Sequence, residues 1–261
     1  MKTSIVIPIF NGKEFIEKNL PHVLALGADE VIIVDDASLE PVLYANVKII
    51  RHDKNQGFPK SVNDGFAATS GEIVILLNQD VSPSKDLLKY TLPHFSDPKV
   101  FATTFNEQKR SWAQAEIKNG FLEFTNGPLD NKAHSSFWAS GGSAAFRKSI
   151  WDQLGGFDPA FSPGYFEDLD ISWRARNRGY EIIWEPRAKV SHSVPESTFN
   201  KIYSPPKLQL IKDRNYLLAH WKNLDSKYYL SHIYHLAYRI LSHPGYLVPT
   251  IWALWTKLAS S

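Results

Sequence analysis

Amide and carboxylate side chains follow two apolar segments early in the chain. Asp35 and Asp36 come directly after one segment, and Asn78, Gln79 and Asp80 come directly after another. Their oxygen atoms are of the kind that Mg²⁺ and Mn²⁺ bind, and such ions usually take one or two carboxylates beside substrate phosphates. The alternative is that both groups only stabilise turns. Their position behind buried strands favours a ligand role for Asp80.

A second acidic group lies at the start of a predicted helix. It contains Glu167, Asp168 and Asp170, and His192 follows Asp168 by 24 residues. A carboxylate in a partly closed pocket can accept the proton of an attacking hydroxyl group. Acidic residues in a first helical turn also interact favourably with the helix dipole, and for Asp170 this alternative is favoured. Imidazole can join carboxylate oxygens around Mn²⁺, although a lone histidine is usually a surface or hydrogen-bonded residue.

The elements that must position these side chains form a βαβ pattern. Buried parallel strands are predicted at residues 4–9, 31–34 and 73–77. The helices between them are predicted at residues 14–26 and 61–68. This alternation, with right-handed crossovers, predicts an α/β fold with a mostly parallel sheet flanked by helices. Ligands of such sheets bind beyond the carboxyl ends of the strands. The acidic and amide groups are therefore expected at one sheet edge.

The second half of the chain predicts more elements of the same domain. Strands are expected at residues 101–105 and 180–184. Helices are expected at residues 148–154 and 167–178. Residues 106–136 are polar and irregular and are expected to form a mobile loop region. We predict that residues 1–193 form one domain.

Composition narrows the class of protein. The chain has 261 residues, a formal net charge of +2 and no cysteine. The charge is too small to indicate a nucleic-acid partner, and without cysteine there are no disulfides, thiolate nucleophiles or cysteine-ligated zinc. The first predicted strand begins close to Met1, so no signal peptide is expected. A cytoplasmic enzyme is predicted.

Five sequence blocks, in this order and spacing, resemble the family 2 glycosyltransferases, whose fold is called GT-A. The blocks are residues 4–11 (SIVIPIFN), 34–38 (VDDAS), 55–65 (NQGFPKSVNDG), 78–80 (NQD) and 155–192. Together they span most of residues 4–192. The resemblance implies an inverting, metal-dependent enzyme with a nucleotide-diphosphate sugar as donor. It also implies that residues 1–193 are the catalytic domain. About 1–100 would bind the donor, and about 101–193, with the loop region 106–136, would bind the acceptor.

The resemblance also implies a donor site. The first block contributes Pro8 and Phe10, and the second contributes Asp36, which by the family pattern recognises the nucleotide base. In the third block, Gly57 permits close backbone approach, and Lys60 or Asn63 reaches the nucleotide. The alternative for Gly57 and Lys60 is a turn followed by a helix start.

The metal and the catalytic base follow from the same resemblance. Residues 78–80 occupy the place of the Asp-X-Asp motif that holds Mn²⁺ or Mg²⁺ against the diphosphate, with Asn78 standing in place of the first aspartate. Asp80 is then one metal ligand, and His192 matches a histidine ligand of metal-binding members. Asp168 is the predicted catalytic base, with Glu167 as a supporting residue on the acceptor side.

Further acceptor-side residues come from the stretch before residue 146. Trp138, Gly141 and Gly142 correspond to the part of the family that lines the pocket between donor sugar and acceptor. An aromatic face can stack on a sugar, but a tryptophan beside small residues is more often part of the core. The sequence is compatible with both sugar stacking and core packing for Trp138.

The C-terminal residues 194–261 form a separate helical, aromatic-rich segment. Residues 208–221 resemble the helix that follows the catalytic domain in many family members, and residues 228–258 mix aromatic, aliphatic and basic side chains. This mixture suits the interface of a membrane, so we expect peripheral contact with the inner face of a membrane. The alternative is packing on the catalytic domain or on a second subunit.

The predicted reaction is transfer of a sugar from a UDP- or dTDP-sugar to a hydroxyl group of a saccharide or lipid-linked glycan, in synthesis of a cell-envelope polysaccharide. The resemblance implies that the transferred sugar is rhamnose, galactofuranose or a hexose. A nucleotidyltransferase is one alternative, but it requires a glycine-rich phosphate loop that residues 8–12 do not provide. A non-catalytic nucleotide-sugar-binding module is the other alternative. The intact set of Asp36, Asp80, Asp168 and His192 argues against it.

Overall fold

The computed structural model describes residues 1–45, 47–107, 112–192, 199 and 202–260. The β-strands are β1 (Thr3–Ile9), β2 (Glu30–Asp35), β3 (Lys48–Arg51), β4 (Ile73–Leu77), β5 (Val81–Pro83), β6 (Val100–Asn106), β7 (Ala113–Lys118), β8 (Phe121–Asn126), β9 (His134–Ser135), β10 (Ser143–Arg147) and β11 (Glu181–His192). The α-helices are α1 (Lys13–Leu24), α2 (Phe58–Ala67), α3 (Leu87–Thr91), α4 (Lys148–Leu154), α5 (Glu167–Asn177), α6 (Pro205–Asn223), α7 (Tyr229–Ser242) and α8 (Leu247–Ala259).

The central sheet has the strand order β3-β2-β1-β4-β10-β6-β11-β5, and β9 pairs with β11. The first four strands of this order are parallel, as the βαβ pattern predicts. Beyond β4 the directions are mixed, because β10 runs antiparallel to both β4 and β6. The predicted α/β class is confirmed, with a parallel donor half and a mixed second half.

Apolar side chains cover both faces of the sheet. Successive residues of β1 alternate between two buried clusters: Ile5 and Ile7 pack with α1 on one face, and Val6 packs with α2 on the other. Burial on both faces explains why the central strands are almost continuously apolar in sequence. The strand ends are therefore held rigidly, which fixes the loops that follow them.

The region 106–136 differs from the prediction of an irregular loop. Its described residues form an antiparallel hairpin of β7 and β8. Asn119 and Gly120 lie between the strands with φ angles of 54° and 73°, the left-handed conformation that a two-residue hairpin turn needs. The loop prediction is wrong for these residues. Residues 108–111 of the same region lie outside the described residues.

Helix α6 packs directly on the catalytic part of the chain. Leu217 and Leu218 are fully buried, and the polar residues Arg214 and Asn215 are buried beside them. The predicted boundary at residue 193 lies outside the described residues. Among those that are described, no helix has the length and apolar composition required to cross a membrane.

Candidate active site

The polar residues that follow β1, β2 and β4 in the sequence meet at one edge of the sheet, as expected from the parallel strands. Gln79 ties two of these loops together, because its side-chain oxygen accepts a hydrogen bond from the backbone N–H of Phe10 at 3.0 Å. Gln79 is 7% exposed. The middle residue of the Asn-Gln-Asp tripeptide is thus a structural link rather than a ligand.

Pairing of two distant strands brings Asp80 and His192 together. The end of β11 runs antiparallel to β5, and His192 lies opposite Val81, the neighbour of Asp80. The distance from His192 Nδ1 to Asp80 Oδ2 is 3.2 Å. The side chains of His192 and Asp80 are 33% and 17% exposed, so a ligand can reach the pair.

Glu107 is a member of this site that sequence reasoning missed. Its Oε2 lies 3.8 Å from His192 Nε2, and its Oε1 accepts hydrogen bonds from the hydroxyl groups of Ser140, at 3.0 Å, and Ser143. The carboxylate of Asp80, followed by that of Glu107, raises the pKa of His192 to about 9. The sequence signal that could have identified Glu107 is its position as the first residue after β6.

The donor set at Asp80 and His192 suits Mn²⁺ or Mg²⁺ in part. A carboxylate oxygen and an imidazole nitrogen are accepted ligands of Mn²⁺. Among the described residues, however, no group of three or more histidine, aspartate or glutamate side chains is arranged to hold a metal ion. The remaining ligands would have to come from a bound diphosphate, which is the usual arrangement for these ions.

Asp168 is half-buried in the first turn of α5. Its two oxygens accept hydrogen bonds from backbone N–H groups, Oδ2 from Gly141 at 3.0 Å and Oδ1 from Leu169 at 2.8 Å. Burial raises the pKa of the Asp168 carboxyl above its ordinary value, and the charge of Glu107 acts in the same direction. A carboxylate with a raised pKa is a better proton acceptor.

Glu167 and Asp170, which flank Asp168 in the first turn of α5, are both buried. Glu167 is 5% exposed, and burial followed by the charge of Asp168 raises its pKa well above the ordinary value. Asp170 is fully buried, forms an ion pair with Arg174 at 2.7 Å and accepts a hydrogen bond from Asn223 at 2.7 Å. Glu167 was predicted on the acceptor side, and its burial leaves little of its side chain exposed to an acceptor.

Gly141 lies against Asp168, the candidate base, and Gly142 lies against Asn78, which is close in sequence to the candidate metal ligand Asp80. The N–H of Asn78 donates to the carbonyl oxygen of Gly142 at 2.8 Å, because β10 lies beside β4. A Cβ atom on Gly142 would lie 2.3 Å from Nδ2 of Asn78. The two glycines therefore let the backbone pass between Asn78 and Asp168.

On the donor side, Asp36 is buried and its carboxylate organises the loop before α2. Oδ1 and Oδ2 accept hydrogen bonds from the N–H groups of Gln56 at 2.7 Å and Gly57 at 2.9 Å, and Oδ1 lies 2.7 Å from His52 Nδ1. Gly57 has a φ of 87°, which only glycine adopts readily. Asp36 thus shapes this loop through contacts within the protein.

A polar cavity of about 630 Å³ lies beside this loop. It is lined by Arg51, His52, Asp53, Lys54, Gln56, Lys60 and Asp64. Its volume is in the range of small-molecule sites. Asp80, Asp168 and His192 are not part of its lining, so the cavity is distinct from the acidic centre. Lys60 forms an ion pair with Asp64 at its rim.

Two predicted donor residues are occupied within the fold, Pro8 by burial and the half-buried Asn63 by hydrogen bonds. Pro8 is buried within β1 opposite Val34 of β2. Both side-chain atoms of Asn63 bind the backbone of Phe157: Nδ2 donates to its carbonyl oxygen at 2.7 Å, and Oδ1 accepts from its N–H at 2.9 Å. The helical position of Asn63 directs its amide towards the turn after α4 rather than towards the donor side.

Trp138 is half-buried next to the hairpin. Its ring meets Phe124 of β8 edge to face, with ring centroids 4.9 Å apart, and it packs against the cluster that contains Leu169 of α5. Phe124 is 46% exposed. Trp138 therefore packs on the core, and Phe124 beside it is an exposed aromatic side chain.

Comparison with known proteins identifies the family. The model of the family described as "Glycosyl transferase family 2" matches residues 4–155, which is more than half of the chain. The chain therefore belongs to glycosyl transferase family 2, and the predicted membership is confirmed.

Individual relatives are more distant. The chain is 27% identical over 202 residues to the pre-mycofactocin glycosyltransferase of Mycobacterium tuberculosis, covering 72% of this chain and 42% of that protein. It is 28% identical over 210 residues to the poly-beta-1,6-N-acetyl-D-glucosamine synthase of Staphylococcus aureus, covering 74% and 50%. The chain thus spans about half the length of these curated relatives.

The fold is shared with solved glycosyltransferase structures. GalNAc-T7 with UDP, GalNAc and Mn²⁺ superimposes with a TM-score of 0.66 at 16% sequence identity, covering 84% of this chain and 47% of that one. At this identity the likeness shows the fold alone, and it confirms the predicted GT-A architecture.

Proposed function

We propose that this protein is an inverting, metal-dependent glycosyltransferase that moves a sugar from a UDP- or dTDP-sugar to a hydroxyl group of a saccharide or lipid-linked glycan. The observation that carries the proposal is the arrangement around Glu107. This carboxylate lies 3.8 Å from His192, and it accepts a hydrogen bond from Ser140, the neighbour of Gly141, whose N–H donates to Asp168. A candidate metal pair and a candidate base therefore share one small acidic centre.

Asp168 supplies the base in this proposal. Its raised pKa favours uptake of the acceptor hydroxyl proton, and the N–H groups of Gly141 and Leu169 hold the carboxylate in one orientation. Each carboxylate oxygen keeps a second lone pair for the incoming proton. Attack opposite the departing diphosphate then inverts the anomeric centre.

Asp80 and His192 would hold the divalent ion, with Asn78 beside them. A ligating imidazole must be neutral, so an ion binding here has to displace the proton of His192. When bound, the ion offsets negative charge on the departing diphosphate. The related fold of GalNAc-T7, solved with UDP and Mn²⁺, supports this assignment.

The nucleotide is assigned to the loops between Phe10 and the segment shaped by Asp36. The adjoining 630 Å³ cavity is lined by basic residues, among them Arg51 and Lys54, and by the carboxylates of Asp53 and Asp64, a mixed set that suits a polar ligand. On the acceptor side, Trp138 and Phe124 provide an aromatic surface for a sugar ring. A saccharide acceptor agrees with the name of the staphylococcal relative, a synthase of a polysaccharide. A cytoplasmic location is part of the proposal.

The test is metal-linked donor binding, followed by a donor screen. We expect UDP or dTDP to raise the melting temperature in Mn²⁺ and to do so less in EDTA, because metal and diphosphate bind as one unit. Asp80→Asn should remove the metal-dependent part. Asp152→Asn is the matched control, since Asp152 is an exposed carboxylate on α4. Equal shifts with and without metal in the wild type would overturn the metal assignment, and a screen of nucleotide-sugars for Mn²⁺-dependent hydrolysis then identifies the donor.

A further inference from the structure

Strand β11 changes its partner strand within its own length. Up to Glu185 it runs parallel to β6, and its last three residues, which end at His192, run antiparallel to β5. Between these two pairings β11 advances by four residues, to Lys189, while its partner β6 advances by one. We call the extra residues 186–188 the bulge. The bulge therefore sets which residues of β11 reach β5.

The carboxylate of Glu185 closes the bulge. Its Oε1 accepts hydrogen bonds from the backbone N–H of Arg187 at 2.9 Å and from the guanidinium Nε of the same residue at 2.8 Å. Its Oε2 accepts from Nη2 of Arg187 at 2.9 Å and lies 2.8 Å from Nε2 of His94. Pro186, between Glu185 and Arg187, has no N–H for a neighbouring strand. The backbone of the bulge is thus held by a side chain.

Glu185 is fully buried and carries its negative charge. Burial alone would raise the pKa of this carboxyl, but the hydrogen bonds from Arg187 and His94 lower its pKa to about 2. A buried polar group whose partners are all in place makes its surroundings rigid, whereas the loss of one partner is costly. The bulge is therefore fixed in one arrangement.

The bulge is joined to the strand that leads to Glu107. Nδ2 of Asn106, the last residue of β6, donates to the carbonyl oxygen of Pro186 at 2.9 Å. Glu107 follows Asn106 directly and lies 3.8 Å from His192. The bulge thus contacts the base of the acidic centre from the β6 side.

The other end of the bulge leads to the candidate metal pair. The carbonyl oxygen of Lys189 accepts from the N–H of Ser84 at 2.9 Å, next to the pairing of β11 with β5. A slip of one residue in a strand turns every side chain to the opposite face. The register that the bulge sets therefore decides whether His192 faces Asp80.

We propose that Glu185 is a positioning residue for the metal side of the site, which holds His192 against Asp80 by closing the bulge. This inference rests on the proposed function, because Glu185 acts through a candidate metal ligand. The carboxylate of Glu185 is fully buried, so it does not bind the ion itself.

The test is the Mn²⁺ concentration that Glu185→Gln needs for nucleotide binding. Calorimetry gives the affinity for UDP and for dTDP over a series of Mn²⁺ concentrations and in EDTA. We expect the half-saturating Mn²⁺ concentration to rise by roughly 10-fold, as when groups that orient metal ligands are lost, with unchanged affinity in EDTA.

Glu30→Gln is the matched control. Glu30 is also a hydrogen-bonded carboxylate, but it lies at the first residue of β2, at the opposite end of the strands from the site, where it bonds Ser4 and Ser70. This variant should keep the Mn²⁺ requirement of the wild type. Circular dichroism confirms that each variant is folded at the temperature of the measurement.

A double-mutant cycle separates positioning of His192 from general stability. In the His192→Ala background, Glu185→Gln should raise the Mn²⁺ requirement no further, because the ligand that it positions is already absent. An equal rise in both backgrounds would overturn the proposal, and so would no rise in the wild-type background.

Hydrogen exchange tests the positioning without any metal. Glu185→Gln should speed exchange of the Ser84 N–H, which donates to Lys189, and leave the amides of β1 and β2 unchanged. Unchanged exchange at Ser84 would overturn the proposal. A wild type that binds nucleotide equally with and without Mn²⁺ is instead a failure of the proposed metal site, and the exchange result then decides separately whether Glu185 fixes the end of β11.

Discussion

The side-chain amide of Asn215 on α6 donates to the carbonyl oxygen of Tyr165 at 2.9 Å and to that of Gly164 at the same distance. Tyr165 and Phe166 both adopt left-handed backbone conformations, with φ of 75° and 70°. Bulky residues rarely do so, and such conformations persist only where the surroundings enforce them. Because α5 begins directly afterwards, the position of Asp168 depends on α6.

We predict that Asn215→Ala lowers turnover by roughly 10-fold or more while donor affinity stays near the wild-type value. Small displacements of a catalytic group cost large factors in rate, whereas the donor loops lie on other elements. The measurement is the turnover number beside calorimetric donor binding, both at a temperature where the variant is folded.

Asn177→Ala is the matched control for Asn215. Its amide also joins α5 to α6, donating to the carbonyl oxygen of Asn223 at 3.2 Å, but it lies at the far end of α5. We expect this variant to keep its turnover. An equal loss in the two variants would show that α6 contributes only general stability.

A second prediction concerns Gly142. A Cβ atom there would lie 2.3 Å from Nδ2 of Asn78, so Gly142→Ala must displace the Asn78 side chain. We expect a loss of about 1–3 kcal/mol in the free energy of unfolding, the usual cost of overpacking, together with weaker donor binding. Gly245→Ala meets no atom within 4 Å and should change stability by less than about 0.5 kcal/mol. Urea unfolding measures the stability of both variants. Equal stabilities would contradict the close approach of the Gly142 backbone to the Asn78 side chain.

A third prediction concerns acid stability. His220 is fully buried, its Nε2 accepts from the N–H of Leu122 at 2.7 Å, and burial lowers its pKa to about 3. An unfolded chain binds a proton at this histidine near pH 6.5, where the folded chain does not. Stability is therefore full above pH 6.5 and falls as the pH drops from 6.5 towards 3. Burial lowers the pKa of His232 as well, in the same direction.

His220→Gln isolates this contribution. Glutamine keeps an acceptor for the Leu122 N–H but does not titrate, so we expect a flatter stability profile between pH 6.5 and pH 4. The difference from the wild type should be on the order of a few kcal/mol over this window. Parallel profiles in chemical denaturation would show that His220 is not the group that titrates.

The sequence predicted the parallel half of the fold because its strands are buried on both faces and therefore have an unmistakable apolar pattern. The hairpin of β7 and β8 was overlooked because its outward residues are polar, although Asn119 and Gly120 are a strong two-residue turn signal. The short strand β3 was also overlooked, since it lies at the sheet edge and only its middle residues are half-buried.

The site could be predicted only as far as residue types and strand ends allow. The proximity of Asp80 and His192 depends on the pairing of β5 with β11, a long-range contact that no local pattern reveals. Glu107 reaches the same centre through β6, and its role becomes visible only beside Ser140 and Ser143. Likewise, Asn63 has the spacing of a donor residue, but its amide is used by the backbone of Phe157.

The most direct test of the proposed mechanism is Asp168→Asn, studied by donor calorimetry in Mn²⁺ and by product formation with a working acceptor. Asparagine keeps the size of the side chain but cannot accept the proton, so donor binding should persist while turnover falls by roughly 10²-fold or more. Asp80→Asn should instead weaken metal-dependent donor binding. Sugar transfer by Asp168→Asn at near the wild-type rate would show that Asp168 is not the base.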